Sequence, residues 1–226
     1  MTDFRNIKGI AFDLDGTLVD SVPDLAEACR ATLRDWSLSG CTDAEVRNWV
    51  GNGTTMLMRR ALQNSLGQEP TDAQMDEIMP LFFKHYEACL EKFSQLYPGV
   101  AAVLQQFHQQ GYRLAVVTNK PYRFTVPLLQ SFGIAPLFSL ILGGDSLDKM
   151  KPDPLPLQHV MQQWQLSNDE LLMVGDSRND IRAAKAAAIA SIGLTYGYNY
   201  GEDISLSGPD AVCEHFEQIL ALLASK

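Results

Sequence analysis

The chain has 226 residues, of which 46% are hydrophobic, enough for one large domain or for a core with an insertion. Its formal net charge is −9 and no run of Lys or Arg stands out, which excludes the basic face that nucleic-acid binding needs. It has neither an apolar leader nor a stretch of about 20 apolar residues, and its four cysteines are scattered, so we expect a cytoplasmic protein with reduced thiols and no membrane contact.

The first predicted element is a buried parallel strand, the apolar run at residues 10–12, and two acidic residues follow it. Side chains alternate between the two faces of a strand, so Asp13 and Asp15 project the same way while Leu14 turns into the core. Two buried carboxylates this close repel each other and need a compensating cation. The alternative is a solvated turn, since Asp and Gly are ordinary turn residues.

Helical spacing of apolar residues continues from about residue 19 to about residue 93, and no strand is predicted in this segment, which we call the helical block. The helical block lies between the first strand and everything that follows, as an insertion would. The predicted domains are therefore an α/β core of residues 1–18 and 94–226 and a helical cap of residues 19–93.

Local signals divide the helical block into four helices. Ser21 is placed to cap the first helix, and the loop Gly51-Asn52-Gly53 separates the second from a third that begins near Thr54. The fourth is expected to bend or break near Pro80 and to run on to the end of the block.

Beyond residue 98, predicted strands and helices alternate. Apolar runs predict strands near residues 113–117, 138–142, 171–174, 191–194 and 212, and an Ala-rich helix at 181–188. Such alternation implies right-handed crossovers and a parallel sheet with helices on both faces. The predicted fold class is a doubly wound, Rossmann-like α/β core with an inserted all-helical cap.

Polar residues follow several of these strands, and the carboxyl ends of parallel strands share the edge of the sheet where α/β proteins bind ligands. These residues are Asp13, Asp15, Thr118, Asn119, Lys151, Asp176 and Asp180. Taken singly, each has a plain explanation as a turn, surface or helix-capping residue. Their joint placement after successive strands favours a single site.

The predicted site suits phosphoryl transfer through a metal ion. A phosphate dianion is repelled by a carboxylate nucleophile, so a divalent cation is needed to bring them together. Asp13 and Asp176, with the backbone carbonyl of Asp15, offer the hard oxygen ligands that magnesium prefers.

Three further residues are candidates for binding the phosphoryl group itself. Lys151 can place a compact positive charge on the phosphoryl oxygens. The hydroxyl of Thr118 and nearby backbone amides can donate hydrogen bonds to the same oxygens, and Asn119 is counted among the phosphate-binding candidates.

The motifs that carry these residues resemble those of the haloacid dehalogenase-like phosphohydrolases. FDLDGTL at residues 12–18 resembles the first motif of that family, VVTN with Thr118 the second, KPDP with Lys151 the third and GDSRND, from residue 175, the fourth. The helical block between the first two motifs resembles the family's helical cap, so the resemblance covers the whole chain.

This resemblance implies roles for the acidic residues. Asp13 would be the nucleophile, forming an aspartyl-phosphate, and Asp15 the general acid/base. Asp176 would bind magnesium directly, and Asp180 would support the metal shell or Lys151.

Within the family, TNKP, GDSRNDI and the run at residues 193–201 resemble the bacterial phosphoglycolate phosphatases. The implied reaction is the hydrolysis of 2-phosphoglycolate, a small phosphorylated metabolite, to glycolate and phosphate. One departure is visible at Ala188-Ile189, because many relatives carry a glycine at the end of the helix that follows the fourth motif.

A cap that selects phosphoglycolate must offer donors to its carboxylate. The loop Gly51-Asn52-Gly53 leads into the helix that begins near Thr54, and free backbone amides at a helix N-terminus can bind an anion. Arg59 and Arg60 are further candidates. The alternative is a plain loop between two helices.

Other functions are weighed against this one. A sugar-phosphate mutase of the same family would keep every motif, and product analysis alone separates it from a phosphatase. A dehalogenase would need neither a metal nor the second Asp of the first motif. A non-catalytic phospho-acceptor switch also uses Asp, Thr, Lys and magnesium, but it is typically half this length and lacks a cap. The sequence leaves the oligomeric state open between monomer and dimer.

Overall fold

The computed structural model describes residues 4–223. The strands are β1 (Gly9–Phe12), β2 (Val19–Asp20), β3 (Gln95–Leu96), β4 (Arg113–Val117), β5 (Leu140–Leu142), β6 (Leu171–Gly175), β7 (Ala190–Leu194) and β8 (Ala211–Cys213). The α-helices are α1 (Val22–Asp35), α2 (Asp43–Trp49), α3 (Thr54–Leu66), α4 (Asp72–Cys89), α5 (Val100–Gln109), α6 (Tyr122–Ser131), α7 (Leu155–Trp164), α8 (Arg178–Ala186) and α9 (Gln218–Leu223). Within this described range, none of the helices combines the length and the apolar character that crossing a bilayer requires.

Six of the strands form one parallel sheet in the order β5-β4-β1-β6-β7-β8, which confirms the predicted doubly wound α/β class. β1 lies between β4 and β6, with Phe12 in register with Val116 and Val174. All four β1 residues are buried, as expected for a parallel strand covered by helices on both faces. The carboxyl ends of β1, β4 and β6 are therefore neighbours, and so are the segments that follow them.

Successive β1 residues belong to two separate apolar layers. Phe12 packs in the layer that contains α5 and α9, with ring centroids 6.5 Å from Phe107 and 5.7 Å from Phe216. Ala11 belongs to the opposite layer, formed with α7 and α8. Because close-packed side chains hold β1 on both faces, the loop that follows it starts from a rigid support.

The helical block packs around an apolar cluster of its own. α1 lies along α4, and Cys29, Phe82 and Tyr86 are among the buried residues of this cluster. Phe124 and Tyr198 of the α/β part belong to the same cluster, so apolar packing joins the block to the sheet domain. All four cysteines are buried free thiols, in agreement with the prediction. The proposed boundaries between core and cap stay a prediction.

The prediction that the helical block contains no strand is wrong at its beginning. Val19–Asp20 form β2, which pairs antiparallel with β3, with Val19 opposite Leu96 and Asp20 opposite Gln95. β2 is the segment by which the chain leaves the α/β core, and β3 is the segment by which it returns. The two lie side by side and satisfy each other's backbone hydrogen-bonding groups. A strand of two residues is too short to show a periodic pattern, and the sequence therefore carried no signal for it.

α4 differs from the prediction in two ways. It continues without interruption through Pro80, which lies on the exposed side, where water can bond the carbonyl that lacks a helical partner. It ends at Cys89 instead of near residue 93, because the backbone N–H groups of Phe93 and Ser94 donate to the Asp24 carboxylate at 2.8 and 2.9 Å. These two bonds turn the chain away from the helix axis.

α8 ends in a tight left-handed turn. The N–H of Ala188 donates to the Lys185 carbonyl at 3.1 Å, and the N–H of Ile189 donates to the Ala184 carbonyl at 3.0 Å, the bond pattern of a Schellman motif. Ala188 has a φ of 55°, a conformation that favours glycine. The sequence departure noted at this position is therefore an alanine in a backbone conformation that suits glycine better.

Candidate active site

Asp13 and Asp15 lie directly beyond β1, as predicted, and both line one small cavity. The Asp13 N–H donates to the Val174 carbonyl at 3.0 Å and so extends the ladder with β6. Gly16 then turns the chain with a φ of 88°, and a Cβ on it would lie 2.3 Å from Oδ2 of Asp176. Only glycine fits between the two loops that carry these aspartates.

Three buried carboxylates meet at this edge of the sheet. Asp13, Asp176 and Asp180 each offer an oxygen within 4.8 Å of the others. The Lys151 side chain is 1% exposed, and its Nζ lies 3.0 Å from Asp13 Oδ1 and 2.6 Å from Asp180 Oδ1. The structure thus brings the first, third and fourth motifs into direct contact.

The acidic side chains of the fourth motif are held by neighbouring donors. Asp176 accepts from the Thr17 hydroxyl at 2.6 Å and from the Tyr198 N–H at 2.6 Å, one bond to each carboxylate oxygen. Asp180 Oδ2 accepts from the Ser177 N–H at 3.0 Å and from its hydroxyl at 2.8 Å. This cap starts α8 at Arg178, whereas the sequence predicted a helix from residue 181.

The electrostatics of the cluster follow from its burial. Burial raises the pKa of Asp13 from its ordinary 3.8 to about 6, although Lys151 opposes the rise. Burial, together with the like charges of Asp180 and Asp13, holds the pKa of Asp176 well above its ordinary value. Burial acts to lower the pKa of Lys151, but the attraction of Asp13 and Asp180 outweighs it and the pKa is raised. Lys151 pairs with two of the three carboxylates and supplies the cluster with one positive charge, so the cluster is short of positive charge.

This cluster fits a divalent cation bound through oxygen. Its donors are all carboxylates, the ligand type that magnesium prefers. Asp13 Oδ1 is buried, and among the described residues its one charged partner is the Lys151 ammonium at 3.0 Å, which Asp180 shares, so a further cation would complete the charge balance. The raised pKa values of Asp13 and Asp176 point the same way, because an ionised carboxylate is unfavourable there without further positive charge.

Thr118 and Asn119 follow β4, as predicted, but their side chains make different contacts. Thr118 lines the cavity, and its Oγ1 accepts from the Lys120 N–H at 3.2 Å while its own hydroxyl proton stays able to donate. The Asn119 amide donates to the Gly51 carbonyl at 2.9 Å and to the Lys151 carbonyl at 2.8 Å. Asn119 therefore ties the helical block to the third motif, and its role in phosphate binding stays a prediction.

The predicted cap residues divide into two groups. Those that line the cavity are Gly51, Gly53 and Thr54. Asn52 lies outside it, with its Oδ1 accepting from Arg60 at 2.9 Å and from the Tyr200 hydroxyl at 2.9 Å. Arg59 forms ion pairs with two exposed acidic side chains of the helical block, Glu69 and Asp72. Neither arginine lines the cavity.

The cavity is narrow in this conformation. Its volume is about 30 Å³, and apolar side chains of the helical block, Leu25, Val50 and Leu57, form part of its wall. That volume holds about two water molecules, which is less than a phosphate ester requires. In this conformation the enclosed part of the cavity is therefore smaller than the substrate.

Two residues at the site were not predicted. The ammonium of Lys120 donates to Asp15 Oδ1 at 2.9 Å. Ser21, expected to cap α1, makes no capping bond and instead donates its hydroxyl to the same Asp15 oxygen at 2.6 Å. Lys120 directly follows the Thr-Asn pair of the second motif, so its position in TNKP was a usable signal. Ser21 directly follows β2, and the sequence did not reveal this short strand.

The fold and the site together define an α/β enzyme with a carboxylate at the end of its central strand and a cluster of buried carboxylates beside it. This is the arrangement that phosphoryl transfer through an aspartate requires. Residues 10–194 match the family described as haloacid dehalogenase-like hydrolase, and the chain belongs to this family.

Relatives named phosphoglycolate phosphatase are similar to this chain over nearly their whole length. The protein from Vibrio vulnificus is 49% identical over 218 residues, covering 96% of each chain. The protein from Pectobacterium atrosepticum is 47% identical over 223 residues, 99% of this chain and 95% of its own. A crystal structure from Haemophilus somnus, of a protein described as a predicted phosphoglycolate phosphatase, has a TM-score of 0.92 at 42% identity and covers 96% of this chain and 98% of its own. These comparisons confirm the enzyme class inferred from the motifs, a phosphatase.

Proposed function

We propose that this phosphatase hydrolyses 2-phosphoglycolate to glycolate and phosphate, with magnesium as its cofactor. The observation that carries the proposal is the position of Asp13, which lines the narrow cavity, pairs with Lys151 and belongs to the acidic cluster. The names of the relatives support the choice of substrate. We further propose a cytoplasmic location.

Asp13 and Asp176, with the backbone carbonyl of Asp15, are the residues that would hold the magnesium ion. Bound there, the ion would reduce the repulsion between the phosphate dianion and the attacking carboxylate. Asp180 would act indirectly, because its carboxylate is taken up by Lys151 and by the Ser177 cap.

The chemical steps use the side chains that line the cavity. The Asp13 carboxylate attacks phosphorus, the bond to the ester oxygen breaks, and an aspartyl-phosphate forms. Asp15 gives its proton to the leaving alkoxide and then takes a proton from the water that hydrolyses the intermediate. The Lys151 ammonium and the Thr118 hydroxyl bind the phosphoryl oxygens throughout.

The substrate carboxylate would be bound from the helical block. Gly53 precedes α3 with a φ of 81°, and Thr54, 7% exposed, begins the helix at the cavity wall. The free amides of this first turn and the Thr54 hydroxyl are donors suited to an anion. Closure of the helical block over the bound ester would then exclude water and select the substrate.

A phosphate-release screen over small phosphate esters, with and without magnesium, tests the proposal. We expect the wild-type enzyme to release phosphate from phosphoglycolate when magnesium is present. The Asp13→Asn variant should fold but release none. Ordinary turnover by Asp13→Asn would reject the mechanism. A sugar phosphate recovered as an isomer instead of a free sugar would establish the mutase alternative.

A further inference from the structure

A second buried lysine pairs with the second aspartate of the first motif. The Lys120 side chain is 1% exposed, and its Nζ lies 2.9 Å from Asp15 Oδ1 and 3.2 Å from Oδ2. A buried ammonium is costly without a paired carboxylate, so this contact is strongly favoured once Lys120 is enclosed. Lys151 pairs with Asp13 and Asp180, so the two lysines together pair with three of the four aspartates of the site, whereas Asp176 is bonded by Thr17 and by the Tyr198 N–H.

The same ammonium contacts the helical block through Tyr86 of α4. The Tyr86 hydroxyl is hydrogen-bonded to Lys120 Nζ, which also lies 4.8 Å from the centroid of the tyrosine ring. Tyr86 is fully buried, and its ring centroid is 5.7 Å from that of Phe82 and 4.9 Å from that of Phe124. Burial raises the pKa of this hydroxyl well above its ordinary value, so it stays neutral and accepts from the ammonium.

These contacts hold the Asp15 carboxylate from one side. Ser21 and Lys120 both donate to Oδ1, and Lys120 also reaches Oδ2, so rotation of the carboxylate would break two strong bonds. Asp15 nevertheless lines the cavity beside Asp13, where a leaving group would sit. A proton donor held at a fixed orientation is what proton transfer to a leaving oxygen requires.

We propose that Lys120 is a positioning residue for Asp15 and that Tyr86 keeps it in place only while the helical block is docked. Docking of the block would then complete the proton-transfer group as well as close the cavity. The proposal rests on the proposed function, since it assigns Lys120 to the leaving-group step of that reaction.

The test compares two phosphate esters in single and double variants. In Lys120→Met, kcat/KM for an alkyl ester such as phosphoglycolate should fall about tenfold or more, and kcat/KM for p-nitrophenyl phosphate by about twofold at most, since an aryl leaving group needs little protonation. Tyr86→Phe, which keeps the packed ring, should show the same selectivity to a smaller degree. In an Asp15→Asn background, Lys120→Met should cost only about twofold more, because the two residues act as one unit.

Equal losses on both esters, or a full tenfold further loss in the Asp15→Asn background, would overturn the positioning role. Lys185→Met is the matched control, because its ammonium bonds only the Ser207 carbonyl among the contacts described, at 2.7 Å on the outer surface. If Lys120→Met does not fold, as judged by its thermal unfolding, Tyr86→Phe decides the question through the same ratio. A wild-type protein inactive on both esters with magnesium would instead reject the proposed function.

Discussion

The side-chain amide of Asn119 joins Gly51 of the helical block to Lys151 of the α/β core, with donor–acceptor distances of 2.9 and 2.8 Å. The Gly51 carbonyl also accepts from Asn179 at 3.0 Å. The loop of the helical block that lines the cavity is therefore tied to residues that follow β4 and β6, on the edge of the sheet where the acidic cluster lies.

Removing this link should weaken both substrate binding and folding. In Asn119→Ala we expect KM for phosphoglycolate to rise about tenfold, because a net hydrogen bond contributes about 1 kcal/mol and two are lost. The free energy of unfolding should fall by only about 1–2 kcal/mol, since Asn179 still bonds the Gly51 carbonyl. Asn168→Ala is the matched control, because its amide also donates to a backbone carbonyl, that of Ala187 at 3.0 Å, away from the site. A KM unchanged in Asn119→Ala would show that the link plays no part in binding.

The metal-free protein should lose stability as pH rises through the pKa of Asp13. The folded pKa of about 6 exceeds the ordinary 3.8, so the folded state binds this proton more tightly. The contribution is complete below about pH 4 and is lost above about pH 6, and it amounts to about 3 kcal/mol.

Urea unfolding in excess chelator, followed from about pH 4 to about pH 7, measures this effect. Exposed acids with lowered pKa values contribute the opposite slope, so the difference between wild type and Asp13→Asn is the informative quantity. We expect Asp13→Asn to have the less negative slope, although the raised pKa of Asp176 still contributes in the same direction. Superimposable profiles would contradict the assignment.

Magnesium should stabilise the wild-type protein and be required for turnover. A ligand that binds only the folded state raises the unfolding midpoint in a concentration-dependent manner. In Asp176→Asn this rise should be much smaller, because a carboxylate of the proposed site is lost. Calcium should support turnover poorly, since its larger and looser coordination shell would misplace Asp13. Full activity in excess chelator would reject a metal-dependent mechanism.

The first turn of α3 should determine selectivity for the substrate carboxylate. Thr54→Val removes the hydroxyl and keeps the side-chain shape, so kcat/KM for phosphoglycolate should fall about tenfold while p-nitrophenyl phosphate is largely spared. Gly53→Ala should act in the same direction, because its φ is 81° and a Cβ would lie 3.3 Å from the Asn119 carbonyl. The exposed neighbour supplies the control, Thr55→Val, which should leave both esters unaffected. An unchanged ratio in Thr54→Val would mean that this turn does not select the substrate.

The left-handed turn after α8 should be improved by glycine. Ala188→Gly should raise the free energy of unfolding by about 0.5–1 kcal/mol, because alanine at a φ of 55° is strained there. Ala186→Gly, in the last turn of the same helix, should instead lower it by up to about 1 kcal/mol. Urea unfolding of both variants compares the same Ala→Gly substitution in two backbone conformations. A destabilised Ala188→Gly would contradict the argument.

Much of the fold could be predicted because its signals are local. Each buried strand is a short apolar run, and the polar residues that end it stand next to it in the chain, as Asp13 follows β1 and Thr118 follows β4. The parallel arrangement then required these ends to share one edge. Helix ends set by distant side chains could not be predicted in this way, as the effect of Asp24 on the end of α4 demonstrates.

The sequence by itself determined the fold class, the family and the order of the four motifs, because apolar periodicity and motif spacing are properties of neighbouring residues. The tertiary structure decided which side chains those motifs meet. Lys120 and Asp15 are 105 residues apart, and Asn119 and Gly51 are 68 apart. Such contacts depend on the order of the strands and on how the helical block docks. No local pattern encodes the strand order or the docking, because the free energy that selects both comes from burial of the whole assembly.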